Sequence, residues 1–416
     1  MIENWLQLHL PEEPPVILCF LVRGGEDNFK WYDCGFPYGI KKDVMRKKIL
    51  ITGGAGFIGS HLCDRLIAEG HHIRVLDNLD PQVHGEGRLR PDYLHPDVEL
   101  IVGDVCVKGE VEEALKGIDR VYHLAAKVGV GQSMYEISSY TQVNNEGTAV
   151  LLESLIRQPV EKLVVASSMS IYGEGLYRGP DGEIYQGQER ALSALKKGVW
   201  ELHDPSGRLL EPVPTTETKS PSLSSVYALS KYDQERLCLI TGRAYGFPVT
   251  ALRFFNVFGT RQALSNPYTG VLAIFASRYL NGKAPLIFED GQQKRDFVHV
   301  KDVAEACALA GVPGNGDGDV LNIGSGQSCT IADIAQKLAQ VMGKSDINPS
   351  VTGKYRAGDI RHCFADIGKA REMIGYRPQV NMEAGLSELA AWLQGQIAVD
   401  QVEKARTELE KRGLTV

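Results

Sequence analysis

The sequence lacks the features that define several protein classes. Its eight cysteines are scattered, with no CxxC pair, and its ten histidines show no metal-ligand spacing. We therefore predict reduced thiols, no metal site and a cytoplasmic location. The apolar run at residues 16–22 is far shorter than the roughly 20 residues that cross a membrane, and acidic residues precede it. The sequence thus predicts neither a membrane span nor a signal peptide.

An excess of positive charge is also absent. Asp and Glu number 52 against 45 Lys and Arg, which gives a formal net charge of −7. This balance argues against nucleic acid or an anionic membrane as a partner. A phosphorylated substrate would therefore need a local cluster of basic residues. With 416 residues and 43% apolar content, the chain is long enough for one large or two modest cores.

A glycine-rich turn opens the part of the chain in which strands and helices alternate. Residues 52–59 read TGGAGFIG, between an apolar strand at 48–52 and helical apolar spacing at 57–68. Its glycines suit a tight bend, close approach to a pyrophosphate and close helix packing, with the helix N-terminus facing the diphosphate. An acid about 20 residues further on suits the ribose of NAD and would repel the 2′-phosphate of NADP. The predicted NAD-binding residues here are Gly53, Gly56, Phe57, Ile58, Gly59, Asp77 and Asn78.

Two further strands end at the expected ligand-binding edge of a parallel sheet. A predicted strand at 98–104 ends in Asp-Val, and one at 120–126 ends in Ala-Ala. Ligands of doubly wound folds bind at the carboxyl ends of such strands. The predicted contacts are Asp104 and Val105 at the adenine, and Leu124, Ala125 and Ala126 along the cofactor. The alternation predicts an α/β fold, a Rossmann-type doubly wound parallel sheet with a smaller C-terminal α/β substrate-binding domain.

A tyrosine and a lysine four residues apart form the candidate redox site. Tyr227 and Lys231 would share one face of a helix. A cation beside a phenol lowers the phenol pKa from about 10 toward neutrality, so the phenolate can act as a general base on a substrate hydroxyl. Ser168, in SSMSIYG, is placed to share that proton. Ser168, Tyr227 and Lys231 are the predicted catalytic residues.

The chain resembles the extended short-chain dehydrogenases/reductases that act on nucleotide sugars. The shared landmarks are TGGAGFIG, the Asp-Val pair at 104–105, HLAA, VNNEGT, SSMSIYG, YALSK, LRFFNVFG and RDFVHV, which span residues 48 to about 375. The resemblance implies that Lys231 hydrogen-bonds the nicotinamide ribose and that Tyr227 also contacts the cofactor. It places Asn144 at the cofactor, and Ser133 and Ser168 at the substrate.

The positions after Ser168 narrow the reaction. Relatives that remove water between sugar carbons 4 and 6 carry an Asp-Glu pair there, whereas this chain has Met169 and Ser170. Neither side chain can protonate a leaving hydroxyl or take a carbon-bound proton, which disfavours a 4,6-dehydratase. A decarboxylase, which usually keeps the Glu, is weakened too. What remains is oxidation at carbon 4 to a 4-keto sugar and hydride return to its other face. That reaction defines a 4-epimerase with tightly held NAD.

The substrate half is expected in the C-terminal third. The resemblance implies that Asn256 in FFNVFG binds near the phosphates, while Arg295 in QKRDF and Arg361 in AGDIRH are predicted diphosphate clamps. Arginine forks match phosphate oxygens and supply the local positive charge that an acidic protein needs. The predicted partner is therefore a nucleotide-diphosphate sugar.

Two segments, DNLDPQVHG and RQALSNPYTGV, resemble a subgroup of dTDP-L-rhamnose 4-epimerases. UDP-glucose or UDP-glucuronate 4-epimerases remain alternatives. A nucleotide-sugar oxidoreductase that acts as a 4-keto reductase with exchangeable cofactor also stays open, because the same three catalytic residues serve both reactions. A non-catalytic NAD-sensing or scaffold protein is the third class.

The chain is predicted to have four parts. Residues 1–44 form a peripheral extension, and 45–255 form the NAD-binding domain with a long insertion at about 175–220. The insertion is either a lid over the sugar or a solvated excursion. Residues 256–396 form the nucleotide-sugar-binding part, interleaved with the first domain, and 397–416 form a charged helix. By resemblance we expect a homodimer through a four-helix bundle.

Overall fold

The computed structural model describes residues 21–23, 29–31, 46–268, 270–356, 358–396, 398 and 400–415. The chain forms two compact units, residues 1–45 and 46–416. In the first unit, β1 (Leu21–Arg23) and β2 (Phe29–Trp31) pair in antiparallel orientation. The rest of the predicted peripheral extension lies outside the described residues, so its role stays a prediction.

The second unit alternates strands and helices along most of its length. Its described strands are β3 (Lys48–Thr52), β4 (His72–Asp77), β5 (Glu99–Val102), β6 (Arg120–His123), β7 (Lys162–Ser168), β8 (Leu176–Arg178), β9 (Ile184–Gln186), β10 (Glu211–Val213), β11 (Val249–Phe254), β12 (Asn256–Phe258), β13 (Leu286–Ile287), β14 (Lys294–Arg295), β15 (Phe297–His299), β16 (Val320–Ile323), β17 (Cys329–Thr330), β18 (Ser350–Val351) and β19 (His362–Cys363). Its described α-helices are α1 (Phe57–Ala68), α2 (Pro81–His84), α3 (Lys108–Ala114), α4 (Val130–Ser133), α5 (Ile137–Tyr140), α6 (Gly147–Arg157), α7 (Leu192–Leu195), α8 (Val226–Tyr245), α9 (Val271–Leu280), α10 (Val300–Ala310), α11 (Ile331–Val341), α12 (Gly368–Ile374), α13 (Met382–Leu393) and α14 (Val402–Lys411).

Seven strands form one parallel sheet, in the order β16-β11-β7-β6-β3-β4-β5. The chain order of the strands reverses between β3 and β6. The glycine-rich turn after β3 therefore lies at the switch point where doubly wound folds bind their ligands. The predicted Rossmann-type sheet is confirmed, and β16 from the C-terminal third completes it at one edge.

Both faces of this sheet are covered, as its apolar strands require. Side chains alternate along β3: Ile49 and Ile51 join a buried cluster with α1 and α10, whereas Leu50 joins one with α3, α6 and α8. Burying each such side chain contributes about 1.5–3 kcal/mol. The resulting packing fixes the carboxyl edge of the sheet, where the site residues lie.

A third apolar cluster supports the substrate half. It is formed by α9, α11 and α13, together with residues of short strands. The strand β12 pairs in parallel with β15, and β14 lies between β17 and β19. The backbone N–H of Asn256 donates to the carbonyl of Asp296 at 3.0 Å, which brings Asn256 beside the strand end that carries Arg295.

The insertion at about 175–220 is folded. Its strands pair in the order β10-β8-β9, and Tyr177, Leu202 and Leu210 form a small buried cluster of their own. Thr215 then forms a parallel bridge with Ala365 in the C-terminal third. These contacts attach the insertion to the substrate half.

The C-terminal helix α14 packs against the rest of the unit. Ala405 and Leu409 are buried, and the guanidinium of Arg412 lies 4.4 Å from the ring centroid of Tyr135. A Cβ added at Gly131 would lie 3.4 Å from Leu409 Cδ2. The helix therefore covers the segment at 130–135. In the described part of the chain, no helix is both long and apolar enough to cross a membrane.

Candidate active site

The glycine-rich turn has the geometry of a pyrophosphate cradle. Gly53 has φ +70°, and a Cβ there would lie 2.7 Å from the backbone N of Ala125. A Cβ on Gly59 would lie 2.5 Å from the carbonyl oxygen of Gly53. A Cβ on Gly56 would meet only that same oxygen, at 3.4 Å, so the outer side of this residue is open. Two glycines thus permit the packing and the third leaves room for a ligand.

The helix α1 begins directly after Gly56 and has no side-chain cap. Its first N–H groups, at the predicted contacts Phe57 and Ile58, lie where a helix N-terminus binds a phosphate. The residues present therefore fit the diphosphate of a dinucleotide.

Asp77 ends β4 next to this turn. Its Oδ2 accepts a hydrogen bond from the N–H of Ala55 at 3.0 Å, and its Oδ1 accepts one from Leu79 at 2.9 Å. Burial raises the pKa of Asp77. A carboxylate has about four acceptor positions, so two remain for ribose hydroxyls. The side chain of Asn78 donates to Asp104 Oδ2 at 3.2 Å, which brings the predicted adenosine contacts together.

The remaining predicted cofactor contacts lie along the same edge. Val105 is buried and packs closely against Gly147. A Cβ added to Gly147 would lie only 2.7 Å from Val105 Cγ2. The predicted contacts Leu124, Ala125 and Ala126 follow β6, beside the glycine-rich turn, and all three are half-buried. Val105 is therefore a packing residue in this structure, and the other three line the turn.

Asn144 is fully buried in a π-helical turn, Thr141–Glu146, between α5 and α6. Its Oδ1 accepts from the N–H of Lys127 at 2.7 Å, and its Nδ2 donates to the carbonyl of Lys127 and to Ser230 Oγ. These partners correct the prediction of a direct cofactor contact, because the amide is used within the protein. Asn144 ties the segment after β6 to the helix that carries Tyr227.

The predicted catalytic residues come together at the end of β7 and the start of α8. Ser168 is the last residue of β7. Ser225 caps α8 by accepting a hydrogen bond from the N–H of Ala228, which places Tyr227 in the first turn. Ser168 lies close enough to Tyr227 to lower the pKa of its phenol. Lys231 lies buried one turn further along the same helix.

The predicted low pKa of Tyr227 is not found in the protein alone. Burial raises the pKa of Tyr227, and the hydrogen bond with Ser168 lowers it by less. Lys231 Nζ instead donates to Gln234 Oε1 at 2.6 Å, and burial lowers the pKa of Lys231 to about 8. Tyr227 and Lys231 both lie on α8, as predicted, but burial is the largest influence on the phenol pKa.

Ser133 occupies a supporting position. Its hydroxyl is fully buried, donates to the carbonyl of Val130 at 2.7 Å and accepts from the N–H of Tyr227 at 3.0 Å. A hydroxyl has one donor, and the protein uses it. The prediction of Ser133 as a substrate contact is therefore corrected: the residue holds the first turn of α8.

Asn256 and Arg295 lie close together in the substrate half, and their assignment to the substrate stays a prediction. Asn256 Oδ1 is buried without a hydrogen-bond partner in the described part of the chain, which suits a ligand donor. The guanidinium of Arg295 donates to the carbonyls of Lys294, Ile360 and Arg361, which fixes its direction. These hydrogen-bond partners are carbonyls, and the nearest carboxylate, Asp359 Oδ1, lies 3.9 Å from Nη2, so the charge of Arg295 is only partly compensated.

Arg361 is a correction. Its guanidinium is buried, and all five of its N–H donors are hydrogen-bonded to Glu201, Glu289 and Asp290. Three carboxylates leave neither a donor nor net positive charge for a diphosphate. Arg361 therefore joins the insertion, which carries Glu201, to the substrate half.

Arg356 is the basic residue that the sequence reasoning missed. Its guanidinium lies 4.2 Å from the ring centroid of Phe288, and its Nε is buried without a hydrogen-bond partner in the described residues. An arginine held by an aromatic ring and with a spare donor suits an anion. The signal was its place in YRAGD, five residues before Arg361.

The two subgroup segments meet in the structure. Gln82 Nε2, in the first, lies 3.0 Å from Gln132 Oε1 and 3.0 Å from Asn266 Oδ1 in the second. Gln132 Nε2 in turn donates to Glu136 at 2.9 Å. This buried amide cluster holds the segment around Ser133 and was not predicted.

Comparison with known proteins agrees with this site. The NAD dependent epimerase/dehydratase family model matches residues 49–194 and 205–324. A dTDP-L-rhamnose 4-epimerase of Burkholderia thailandensis is 36% identical over 354 residues, which cover 84% of this chain and 96% of that protein. The chain belongs to the NAD-dependent epimerase/dehydratase family, and its cofactor is NAD.

Two solved structures are similar over most of their length. A UDP-glucose 4-epimerase of Thermotoga maritima with UDP-glucose has a TM-score of 0.68 and 32% identity, covering 83% of this chain and 98% of that chain. A UDP-glucuronic acid 4-epimerase of Bacillus cereus with UDP-glucuronic acid and NAD has a TM-score of 0.67 and 27% identity, covering 83% and 99%.

Proposed function

We propose that this protein is an NAD-dependent nucleotide-sugar 4-epimerase with dTDP-L-rhamnose as its substrate. The observation that carries the proposal is the pairing of Ser168 with Tyr227 where no acid-base pair follows. Met169 and Ser170 are both buried after Ser168, and Ser170 Oγ donates to Ser168 Oγ at 2.9 Å. Oxidation and reduction at one carbon need only the hydroxyl pair, whereas elimination needs a carboxylate here.

Each residue type fits one step of this reaction. Bound NAD would supply the acceptor and then the donor of the hydride. Tyr227 takes the proton of the carbon-4 hydroxyl and later returns it, while Ser168 orients that hydroxyl. Lys231 holds the nicotinamide ribose. The turn at Gly53 to Gly59, together with Asp77, holds the rest of the dinucleotide.

The substrate diphosphate is assigned to two arginines of the substrate half, of which Arg295 has its nearest carboxylate, Asp359, at 3.9 Å. Arg295 and Arg356 would bind the phosphate oxygens, and Asn256 Oδ1 would accept a hydrogen bond from the nucleotide sugar. The folded insertion would cover the sugar. The relative that is 36% identical and the meeting of the two subgroup segments at Gln82 and Asn266 support dTDP-L-rhamnose.

Purified protein without added NAD should invert carbon 4 of dTDP-L-rhamnose with no net NADH. The assay follows the configuration at carbon 4 by NMR together with NADH absorbance, and UDP-glucose and UDP-glucuronate are run in parallel. If only a UDP-sugar is inverted, the proposed 4-epimerase activity stands, but dTDP-L-rhamnose is not the substrate. The absence of inversion with all three sugars would contradict the proposal.

A nucleotide-sugar oxidoreductase, acting as a 4-keto reductase, is the second candidate, because Ser168, Tyr227 and Lys231 serve both reactions. The same assay separates them. Build-up of NADH or release of a free keto sugar would move the protein to this class.

We further propose a homodimer. Leu229, Leu237 and Ile240 lie on one side of α8 with exposures of 47%, 36% and 56%, and Ile137 on α5 is 53% exposed. Apolar residues at such helical spacing suit a helix bundle with a second copy.

The double variant L237E/I240E should therefore be monomeric in size-exclusion chromatography with light scattering, since two buried carboxylates per subunit would oppose the interface. The control V341E changes an exposed valine at the end of α11 and should keep the wild-type mass. If wild type and L237E/I240E both have the mass of a dimer, this interface is refuted. If the wild type is monomeric, the dimer is refuted.

A further inference from the structure

The environment of Lys231 contains a residue that the reaction above does not use. Gln234 lies one turn further along α8 and is fully buried. Its Oε1 accepts a hydrogen bond from Lys231 Nζ at 2.6 Å. An ammonium group has three donors, so this bond fixes one and leaves two for a ligand.

The orientation of the Gln234 amide follows from its partners. An ammonium can only donate, so Oε1 must face Lys231 and Nε2 must face the other way. On that side, Nε2 lies 3.1 Å from His123 Nε2 and 2.9 Å from Thr148 Oγ1. The carbonyl of Ala125 lies 3.5 Å away, so both hydrogens of the amide nitrogen have acceptors.

His123 is held at both nitrogens of its ring. Its Nε2 lies 3.1 Å from Gln234 Nε2 and 2.9 Å from Thr148 Oγ1, and its Nδ1 lies 2.7 Å from Thr52 Oγ1. Burial lowers the pKa of His123 to about 3, so the ring is neutral. Thr52 begins the glycine-rich turn. A buried chain of hydrogen bonds thus runs from that turn through His123 and Gln234 to Lys231.

We propose that Gln234 is a positioning residue that holds the Lys231 ammonium toward the nicotinamide ribose and Tyr227, and that neutral His123 locks its amide. The inference rests on the proposed function for the use of Lys231 in turnover. Gln234 itself touches neither substrate nor reacting atoms. It acts through Lys231.

The charged and titratable groups around Lys231 determine how turnover should change with pH. His123 faces it from β6 and is neutral, while Tyr227, Glu235 and Cys238 belong to α8 itself. The carboxylate of Glu235 is paired with Arg253, at 2.7 and 2.9 Å. Burial lowers the pKa of Lys231 to about 8. The ammonium is present below that value, and turnover should fall as the pH rises through it.

The test uses Q234M and Q234E in the full-length protein, with Q158M at the exposed end of α6 as the control. Loss of a hydrogen bond to a charged group should lower kcat of Q234M by about 10- to 100-fold, with KM and bound NAD unchanged. In the profile of kcat against pH, the fall on the alkaline side, or alkaline limb, reports the pKa of Lys231. This fall should move to lower pH in Q234M, which lacks the acceptor, and to higher pH in Q234E, which places a carboxylate beside the ammonium. Q158M should match wild type.

A second readout does not depend on turnover. The tyrosinate absorbance of each protein, minus that of the same protein carrying Y227F, gives the pKa of Tyr227. If Gln234 directs the ammonium toward the first turn of α8, where Tyr227 lies, this pKa should rise in Q234M. If no sugar is inverted, the proposed function fails while this titration still decides the role of Gln234.

An alkaline limb that stays in place in both variants would overturn the proposal, and so would a lower kcat of Q234M with an unchanged Tyr227 pKa. Either result would assign Gln234 to packing alone. If Q234M does not fold, Q234E carries the test, because it keeps the shape of the side chain. Its limb must then move to higher pH for the proposal to stand.

Discussion

The variant Y227F is expected to lose about 10²- to 10⁴-fold in kcat while it keeps its NAD, because positioned acid-base groups contribute that much. The ring of Tyr227 is half-buried, and only its hydroxyl is removed, so packing is preserved. The measurements are kcat for carbon-4 inversion of one nucleotide sugar and the amount of NAD released from denatured protein. Y245F, an exposed tyrosine at the end of the same helix, is the matched control.

Two outcomes would contradict the assignment of Tyr227. If Y227F keeps more than a tenth of wild-type turnover, another group moves the proton. If it loses NAD and melts earlier, the hydroxyl has a structural role. Unchanged behaviour in every assay would favour the non-catalytic NAD-binding class that the sequence left open.

The raised pKa of Tyr227 explains why a nearby positive charge is needed for turnover. Burial keeps the phenol protonated in the protein alone, so the phenolate depends on nearby positive charge. Lys231 carries that charge, and its position depends on Gln234. The pair Tyr227 and Lys231 is readable from the sequence, but the third residue of this arrangement is not.

The NAD-binding half was predictable because its contacts are local. Gly53, Gly59 and Asp77 lie within one strand-helix-strand unit, and the spacing of such a unit fixes which residues share the carboxyl edge. The helix α1 runs from Phe57 to Ala68, as its apolar spacing predicted. The parallel sheet followed from the same alternation.

The substrate half was less predictable because its partners are distant in sequence. An arginine in a strand end looks alike whether it meets a phosphate or a carboxylate. Glu201 lies 160 residues from Arg361, and Glu289 lies 72 residues away. Neither distance leaves a periodic signal, so Arg361 was assigned to the diphosphate. Arg356, which keeps a spare donor, was passed over for the same reason.

The burial of Arg361 leads to the second large effect, on stability. The variant R361M should lower the free energy of unfolding by about 3–5 kcal/mol, the cost of removing one partner from a buried ion pair. Buried Glu289 loses one of its two arginine contacts, Arg361 at 2.9 Å, and keeps the other, Arg190 at 2.8 Å. That remaining pair places the expected loss near the lower end of the range. Urea denaturation measures it, and R243M, at an exposed position, is the control.

The position of the lost contact makes the effect local as well as global. Arg361 joins Glu201 of the insertion to Asp290 of the substrate half, so R361M should expose residues 175–220 to limited proteolysis before the sheet unfolds. Adding E289Q to R361M should recover part of the stability, because one carboxylate of the excess left by Arg361 becomes neutral while Arg190 keeps Glu174 at 3.2 Å. A diphosphate clamp would behave in the opposite way. Its loss would raise KM for the nucleotide sugar by a large factor and leave the urea midpoint unchanged, and that result would return Arg361 to the substrate site.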